Sequence, residues 1–321
     1  MARIVSLGSA LQDIYLVDQD DFVSSDYKGQ SIFGKLEIGS KVDIDKISYE
    51  VGGGGTNSAT SFARHGHEAI FIGNISRDPA GEAILQTLDD EGIDSSYVGF
   101  STKLKTGCSV ILLDARSGER TILTHRGSSA KFNNFDESDL DLIQPDWLYA
   151  TTIGGDMDML LRFFEKAHSI NCKVMFNPGL LELEQPKKLI GLLDEVDILI
   201  VNKQEAAKIV PGQLLTELLS KLSNYVQTVI ITDASMGAIA TNGIETYRLG
   251  IYEDVKVKDA TGAGDAMGSG FLAHLAYGFS FKDSLIFGAA NSTSVVKNLG
   301  AKKGILTGEE KLHPMPIQEI K

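Results

Sequence analysis

With 321 residues, the chain holds about two domains of ordinary size, or one large domain with an appendage. It needs neither a disulfide framework nor a structural metal to fold. Hydrophobic residues make up 43% and charged residues 23%, ordinary values for a globular protein. Its 30 basic and 43 acidic residues give a net charge of −13. There is no basic stripe, which excludes a nucleic-acid binder that works by neutralising phosphates.

The chain opens on Ile4-Val5-Ser6-Leu7-Gly8, a first strand rather than a charged segment leading into an apolar leader. No apolar run approaches the roughly 18 residues of a membrane span, so a cytoplasmic protein is expected. Further strands are expected at Ala69–Ile72, Trp147–Ala150, Val174–Phe176, Val196–Val201 and Val229–Thr232. Several are apolar on consecutive residues, as in central strands covered on both faces. Helices are expected between them at Asn57–His65, Pro79–Glu91, Asp156–Ile170, Gln213–Leu222 and Ala266–Tyr277. Proline near the first turn of the second costs nothing. In the third, Met159, Leu160, Phe163, Phe164 and Ala167 fall at helical spacing. This alternation predicts a mostly parallel, doubly wound α/β sheet.

Two stretches break the rhythm. Residues 11–50 are polar with β alternation, clearest at 41–47, and 107–113 and 121–124 flank Ser117-Gly118 as a hairpin would. We expect a small β lid from 11–50 and 101–124 over a body of 1–10, 51–100 and 125–321. Cys108 and Cys172 lie in no CxxC arrangement, so they read as small hydrophobes in a reducing compartment. His65, His67, His125, His168 and His274 show no metal-ligand spacing, and Glu182/Glu184 and Glu309/Glu310 read as solvated charge.

The strongest local signal is Lys258-Asp259-Ala260-Thr261-Gly262-Ala263-Gly264-Asp265, running into an apolar helix. Small residues let a ligand approach the free N–H groups and positive dipole of a helix start, which suits a transferring phosphoryl group. Asp265 at that mouth is either a general base for a hydroxyl or a helix cap. The second signal is Gly52-Gly53-Gly54-Gly55-Thr56-Asn57. Asn57 offers a donor and an acceptor to sugar hydroxyls, or the run is a flexible turn. It lacks the GxGxxG spacing of a dinucleotide fold. The third is Asn202-Lys203-Gln204-Glu205 after a buried strand, where Glu205 could hold magnesium through water or close a capping box with Asn202. Asp13, past the first strand, could bind substrate hydroxyls. The stretch Thr232-Asp233-Ala234-Ser235-Met236-Gly237 could line a nucleotide.

Together these motifs resemble the ribokinase family of carbohydrate kinases, including its nucleoside kinases, from Gly8-Ser9…Asp13 to Gly300-Ala301. The segment Asp259–Asp265 is similar to the family's C-terminal signature and the glycine run ending in Asn57 to its N-terminal one. Asn202…Glu205 is similar to its magnesium-associated motif. The resemblance implies a ribokinase-like body with a β lid and transfer of the ATP γ-phosphoryl group to a primary hydroxyl. It implies Asp265 as base and an anion hole from the amides of Gly262, Ala263 and Gly264. Asp13, Gly53, Gly54 and Asn57 would bind substrate. Asn202, Thr232, Ser235 and Gly237 would line the nucleotide, with Asn291 approaching the adenine. Glu205 would act on Mg²⁺ through water. Asp259 and Thr261, with carbonyls at Val295 and Gly300, match positions that bind a monovalent cation such as K⁺. A homodimer through the lid is expected on the same ground.

The chain also departs from the pattern. After Trp147–Ala150, where ribokinases place a glutamate, it reads Thr151-Thr152-Ile153-Gly154-Gly155, and Ala234 stands where a glycine is common. Arg126 would face an anionic acceptor or form an ion pair in the lid. Sugar kinase is the first reading, nucleoside kinase the second, and a silent ligand sensor the third. A sensor needs no base, so the intact Gly-Ala-Gly-Asp sequence speaks against it.

Overall fold

The computed structural model describes residues 1–18, 26–28, 31–33, 39, 41, 43–44, 46–114, 120–132, 135–252 and 255–320. Strand β1 (Arg3–Leu7) starts the large sheet, and β2 (Leu11–Asp18) leaves it for a second one. A short hairpin of β3 (Asp26–Lys28) and β4 (Ser31–Phe33) precedes β5 (Lys46–Gly52). Helix α1 (Gly54–Arg64), β6 (Glu68–Ser76), α2 (Pro79–Asp90) and β7 (Val98–Ser101) return to the body. β8 (Gly107–Asp114) and β9 (Arg120–His125) then form the expected antiparallel pair. Its turn, with Ser117-Gly118, lies outside the described residues. So do Val42 and Asp45 of the alternating stretch at 41–47, whose Lys46 and Ile47 open β5.

The body continues through α3 (Asp139–Ile143), β10 (Trp147–Ala150), α4 (Met157–Ser169), β11 (Lys173–Phe176), α5 (Leu180–Leu183) and α6 (Pro186–Leu192). It proceeds with β12 (Ile198–Asn202), α7 (Lys203–Ile209), α8 (Leu215–Leu222), β13 (Thr228–Thr232), β14 (Ala238–Thr241) and β15 (Thr246–Leu249). It ends with α9 (Ala263–Ala276), α10 (Phe281–Val296) and β16 (Ile317–Glu319). The large sheet runs β16-β15-β14-β13-β12-β11-β10-β1-β6-β7. It is parallel from β13 to β7 and antiparallel among β13 to β16. Alternation along β1 sends Val5 and Leu7 into one core and Ile4 into the other, so both faces are covered. The order reverses at β1, which pairs with β6 on one side and β10 on the other. That is the point where doubly wound sheets open a crevice at their strand ends. The second sheet runs β5-β2-β8-β9.

Local chemistry sets the helix starts. Asp78 accepts from Gly81 N–H ahead of Pro79, and Asp156 accepts from Met159 N–H. Glu182, expected to be solvated, is fully buried. It accepts from Thr152 Oγ1 and from the N–H groups of Ile153, Gly155 and Gly179. A carboxylate thus reaches the loop after β10, but from α5 and facing inward. Four donors in one place demand an acceptor, and this outweighs the cost of burying charge.

The ends of α1, α9 and α10 meet in a cluster of aromatic rings. His274 stacks between Phe279 and Phe287, with centroids 4.0 and 4.4 Å away, and His65 lies edge-on to Phe287. Neither ring nitrogen of His65 meets a partner among the described residues. Burial lowers the pKa of His65 to about 4 and lowers those of His67 and His274. The unfolded chain takes up these protons near pH 6.5, so folding stability is full above that pH and declines as pH falls toward 4. For His65 alone the decline amounts to about 3 kcal/mol. Urea unfolding at pH 7.5 and pH 5 should show it, and His65→Leu should flatten the slope.

Candidate active site

Asp265 occupies the third position of α9, whose N-cap is Gly262 at φ +77°. The N-cap position thus belongs to a glycine rather than to Asp265, which removes the N-cap role left open by the sequence. Instead Oδ2 accepts from Asn57 Nδ2 at 2.8 Å. Burial raises its pKa, while the Asn57 hydrogen bond and the charge of Lys302 pull it down. Helix hydrogen bonding begins with Ala266 N–H on the Gly262 carbonyl. The Ala263 N–H turns back to the Ala260 carbonyl at 3.3 Å. Of the three amides expected around an anion, those of Gly262 and Gly264 are therefore the uncommitted ones among the described residues, and Ala263's is engaged. A Cβ at Gly264 would enter open space.

The glycine run is a close approach rather than a flexible turn. Gly53, at φ +96°, caps α1, and a Cβ there would collide with the Ser9 carbonyl. Gly54 N–H donates to Ser9 Oγ, and Gly55 N–H to the Ser9 carbonyl. Gly53 and Gly54, expected to bind substrate, seat α1 against the end of β1. Asn57 begins its side chain's work beyond them, and its amide is spent on Asp265 and on Lys302, whose Nζ lies 2.7 Å from Oδ1.

Asp13 comes from the other side, on β2, opposite Glu50 and Ser109. It is 5% exposed and packs on Gly52, where any Cβ would strike its carboxylate. Burial raises its pKa to about 6, against the pull of Lys302 and a hydrogen bond from Ser109. The second sheet thus lowers one carboxylate toward Asn57 and Asp265 on the body.

A cavity of about 390 Å³ adjoins the start of α9, lined by Thr232, Ser235, Gly237, Ala263 and Gly264 among others. Two expected neighbours are absent from its wall. Asn291 is fully buried; its Nδ2 donates to the Ala266 carbonyl and its Oδ1 accepts from Leu306 N–H. The face of α10 that lines the cavity carries Ala289, Ser292, Thr293 and Val296, and position 291 points the other way by helical periodicity. Asn202 is exposed and caps α7, accepting from Glu205 N–H while Glu205 accepts from Asn202 N–H.

That capping box leaves Glu205 half-buried at the end of β12. Burial raises its pKa, and the charge of Asp265 raises it further. Two carboxylates in one field fit a divalent cation, which keeps much of its water and arrives with phosphates. Among the described residues no group of three acidic, histidine or cysteine side chains forms a cage by itself. The residues expected around a monovalent cation make protein contacts of their own. Asp259, 1% exposed, accepts from Thr261 N–H and Oγ1 and from Gly300 N–H. The Val295 carbonyl takes Asn298 N–H. Arg120, reaching down from β9, places Nε 3.7 Å from Asp259 Oδ1. The Arg120 guanidinium already supplies a positive charge beside this carboxylate.

Sequence reasoning missed Arg120, Lys302 and Tyr15. The last is fully buried, and burial together with the charge of Asp259 raises its hydroxyl pKa. An alternating strand shows which residues share a face, but nothing local shows what that face will meet.

Residues 1–307 match the family model described as pfkB family carbohydrate kinase. A ribokinase of Lactococcus lactis is 26% identical over 313 residues, covering 95% of this chain and 94% of its own. The structure of Arabidopsis thaliana ribokinase complexed with ribose and ATP superposes with a TM-score of 0.77 at 22% identity, over 94% of each chain. An adenosine kinase from Sinorhizobium meliloti gives 0.77 at 20% identity, over 95% of this chain and 97% of its own. Among the described residues, no helix is long and apolar enough to cross a membrane.

Proposed function

The chain belongs to the pfkB family of carbohydrate kinases, and from that premise we propose that it transfers the γ-phosphoryl group of ATP to a primary hydroxyl of a sugar or sugar-like acceptor. One observation carries the reading: the Asp265 carboxylate follows directly on the amides of Gly262 and Gly264, uncommitted among the described residues, at the helix start that the cavity reaches through Ala263 and Gly264. Asp265 accepts the hydroxyl proton as the oxygen attacks phosphorus, and the amides receive charge on the phosphoryl oxygens. Thr232, Ser235 and Gly237 line the nucleotide. The acceptor lies between Asp13 and Asp265. Its neighbours Ser109, Gly52 and Asn57 are a polar set suited to hydroxyls rather than to a nucleobase. Magnesium would neutralise phosphate charge, with Glu205 holding one of its waters. Closing the second sheet over the acceptor keeps water from the phosphoryl group.

The test is ADP release with ATP and magnesium across sugars, sugar acids and nucleosides. Turnover on a sugar or polyol supports the reading, and preference for sugar acids would give Arg126 an anionic partner. Turnover on nucleosides alone supports the rival acceptor class. No ADP from any acceptor contradicts transfer and favours a ligand sensor.

The same reading includes a homodimer through the outer face of the second sheet. Register puts Ile14, Leu16, Ile47, Tyr49, Val110, Leu112 and Leu123 on that face. Tyr49 is 64% exposed and Leu123 57%. An apolar face of this kind marks an interaction site, and a second copy would cover it by symmetry. Light scattering should give about twice the 34.6 kDa of one chain. Tyr49→Lys with Leu123→Glu should return the mass to one copy. A monomeric wild type would refute the pairing.

A further inference from the structure

Lys302 lies outside every motif, yet its ammonium sits beneath the acceptor site. Nζ donates to the Val51 carbonyl at 2.6 Å, to Thr56 Oγ1 at 2.9 Å and to Asn57 Oδ1 at 2.7 Å. Three hydrogens meet three acceptors, so this group is saturated by protein and has none left for a ligand. Its backbone is equally fixed. The Lys302 carbonyl accepts from Arg64 Nη1, and Arg64 pairs with Glu91. Gly300, two residues earlier, donates to Asp259.

We propose that Lys302 is a positioning residue that orients the Asn57 amide and through it the carboxylate of Asp265. An ammonium only donates, so the Asn57 atom that faces it must be the oxygen. The amide is planar, so its NH₂ then points the other way, to Asp265, and Nδ2 donates to Oδ2 at 2.8 Å. Without Lys302 the amide is free to turn and set its oxygen against the carboxylate. The charge of the lysine also favours the ionised form of Asp265. Burial draws its own pKa down to about 7, opposed by Asp13, Asp265 and Glu91. The inference rests on Asp265 acting as the base.

Lys302→Met should lower kcat by about 10- to 100-fold, the scale of a misplaced catalytic group, with KM for ATP unchanged. Because Asp265 must be ionised to accept a proton, losing the cation should move the acid limb of the kcat profile to higher pH. At a pH above the acid limb, where Asp265 is ionised in every variant, Lys302 acts through Asn57, so Lys302→Met in an Asn57→Ala background should cost little more than Asn57→Ala alone. Should Lys302→Met fail to fold, the neutral and nearly isosteric Lys302→Gln carries the same comparison, with thermal unfolding checked beside it. An unchanged kcat and pH profile in a folded variant, with Asp265→Asn inactive, overturns the role of Lys302 and leaves the site reading intact. Full turnover in Asp265→Asn overturns the site reading itself. Additive losses at Lys302 and Asn57 also overturn the coupling.

Discussion

Asp265→Asn should leave a folded protein that still binds ATP and turns over about 10²- to 10⁴-fold more slowly, the range for removing a general base. The N-cap of α9 is Gly262, and a first-turn charge is worth only about 0.3–1 kcal/mol to a helix, so the fold does not depend on it. An amide of the same shape still offers an oxygen to accept from Asn57 Nδ2, the donor that Lys302 holds toward it. What the variant cannot do is accept a proton at neutral pH. Calorimetric ATP binding within about 2-fold of wild type, beside lost ADP release, is the expected pair of results. Normal turnover would remove Asp265 from the reaction.

Gly262→Ala should be damaging in a different way. At φ +77° any side chain is strained, costing about 1–2 kcal/mol. The new Cβ would also strike that of Ala301, which is 4% exposed and has little room to retreat. Overpacking adds about 1–3 kcal/mol. The start of α9 must shift, carrying the Gly264 amide and Asp265 with it. We expect a lowered melting temperature together with a loss of kcat of about 100-fold. Gly264→Ala, two residues on, meets open space. It should melt like wild type and lose activity only through the methyl group placed against the anion. If the two variants behave alike in stability, the strain at Gly262 is not what sets the helix start.

Much of the body was legible because central parallel strands write themselves as consecutive apolar residues. Trp147–Ala150 ends where expected, and the others differ by a few residues. The glycine run misled, because glycine suggests a turn. Here it forms the N-cap and first turn of α1, which therefore starts at Gly54 rather than Asn57. Strands β14 to β16 were not foreseen: their antiparallel pairing at an edge needs no long apolar run. Glu182 and Glu184 look alike in sequence, and only the four donors around the first distinguish it.

In the site, the small residues and carboxylates of α9 carry their own local signature, so Asp265 could be found from spacing. Lys302 could not. Its three acceptors lie 245 to 251 residues away, and a Lys-Lys pair in a turn reads as solvated charge. Asn291 was displaced from the nucleotide for a simpler reason. On a helix, neighbours one residue apart face different ways, so a segment near a ligand does not say which side chain touches it.

The role of Asp265 is tested most sharply by the structure of the chain bound to a non-hydrolysable ATP analogue and the acceptor that supports turnover. The reacting hydroxyl is expected within hydrogen-bond reach of an Asp265 carboxylate oxygen, and the γ-phosphate against the Gly262 and Gly264 amides. A hydroxyl held away from Asp265, or a γ-phosphate bound elsewhere than the tip of α9, would contradict that role.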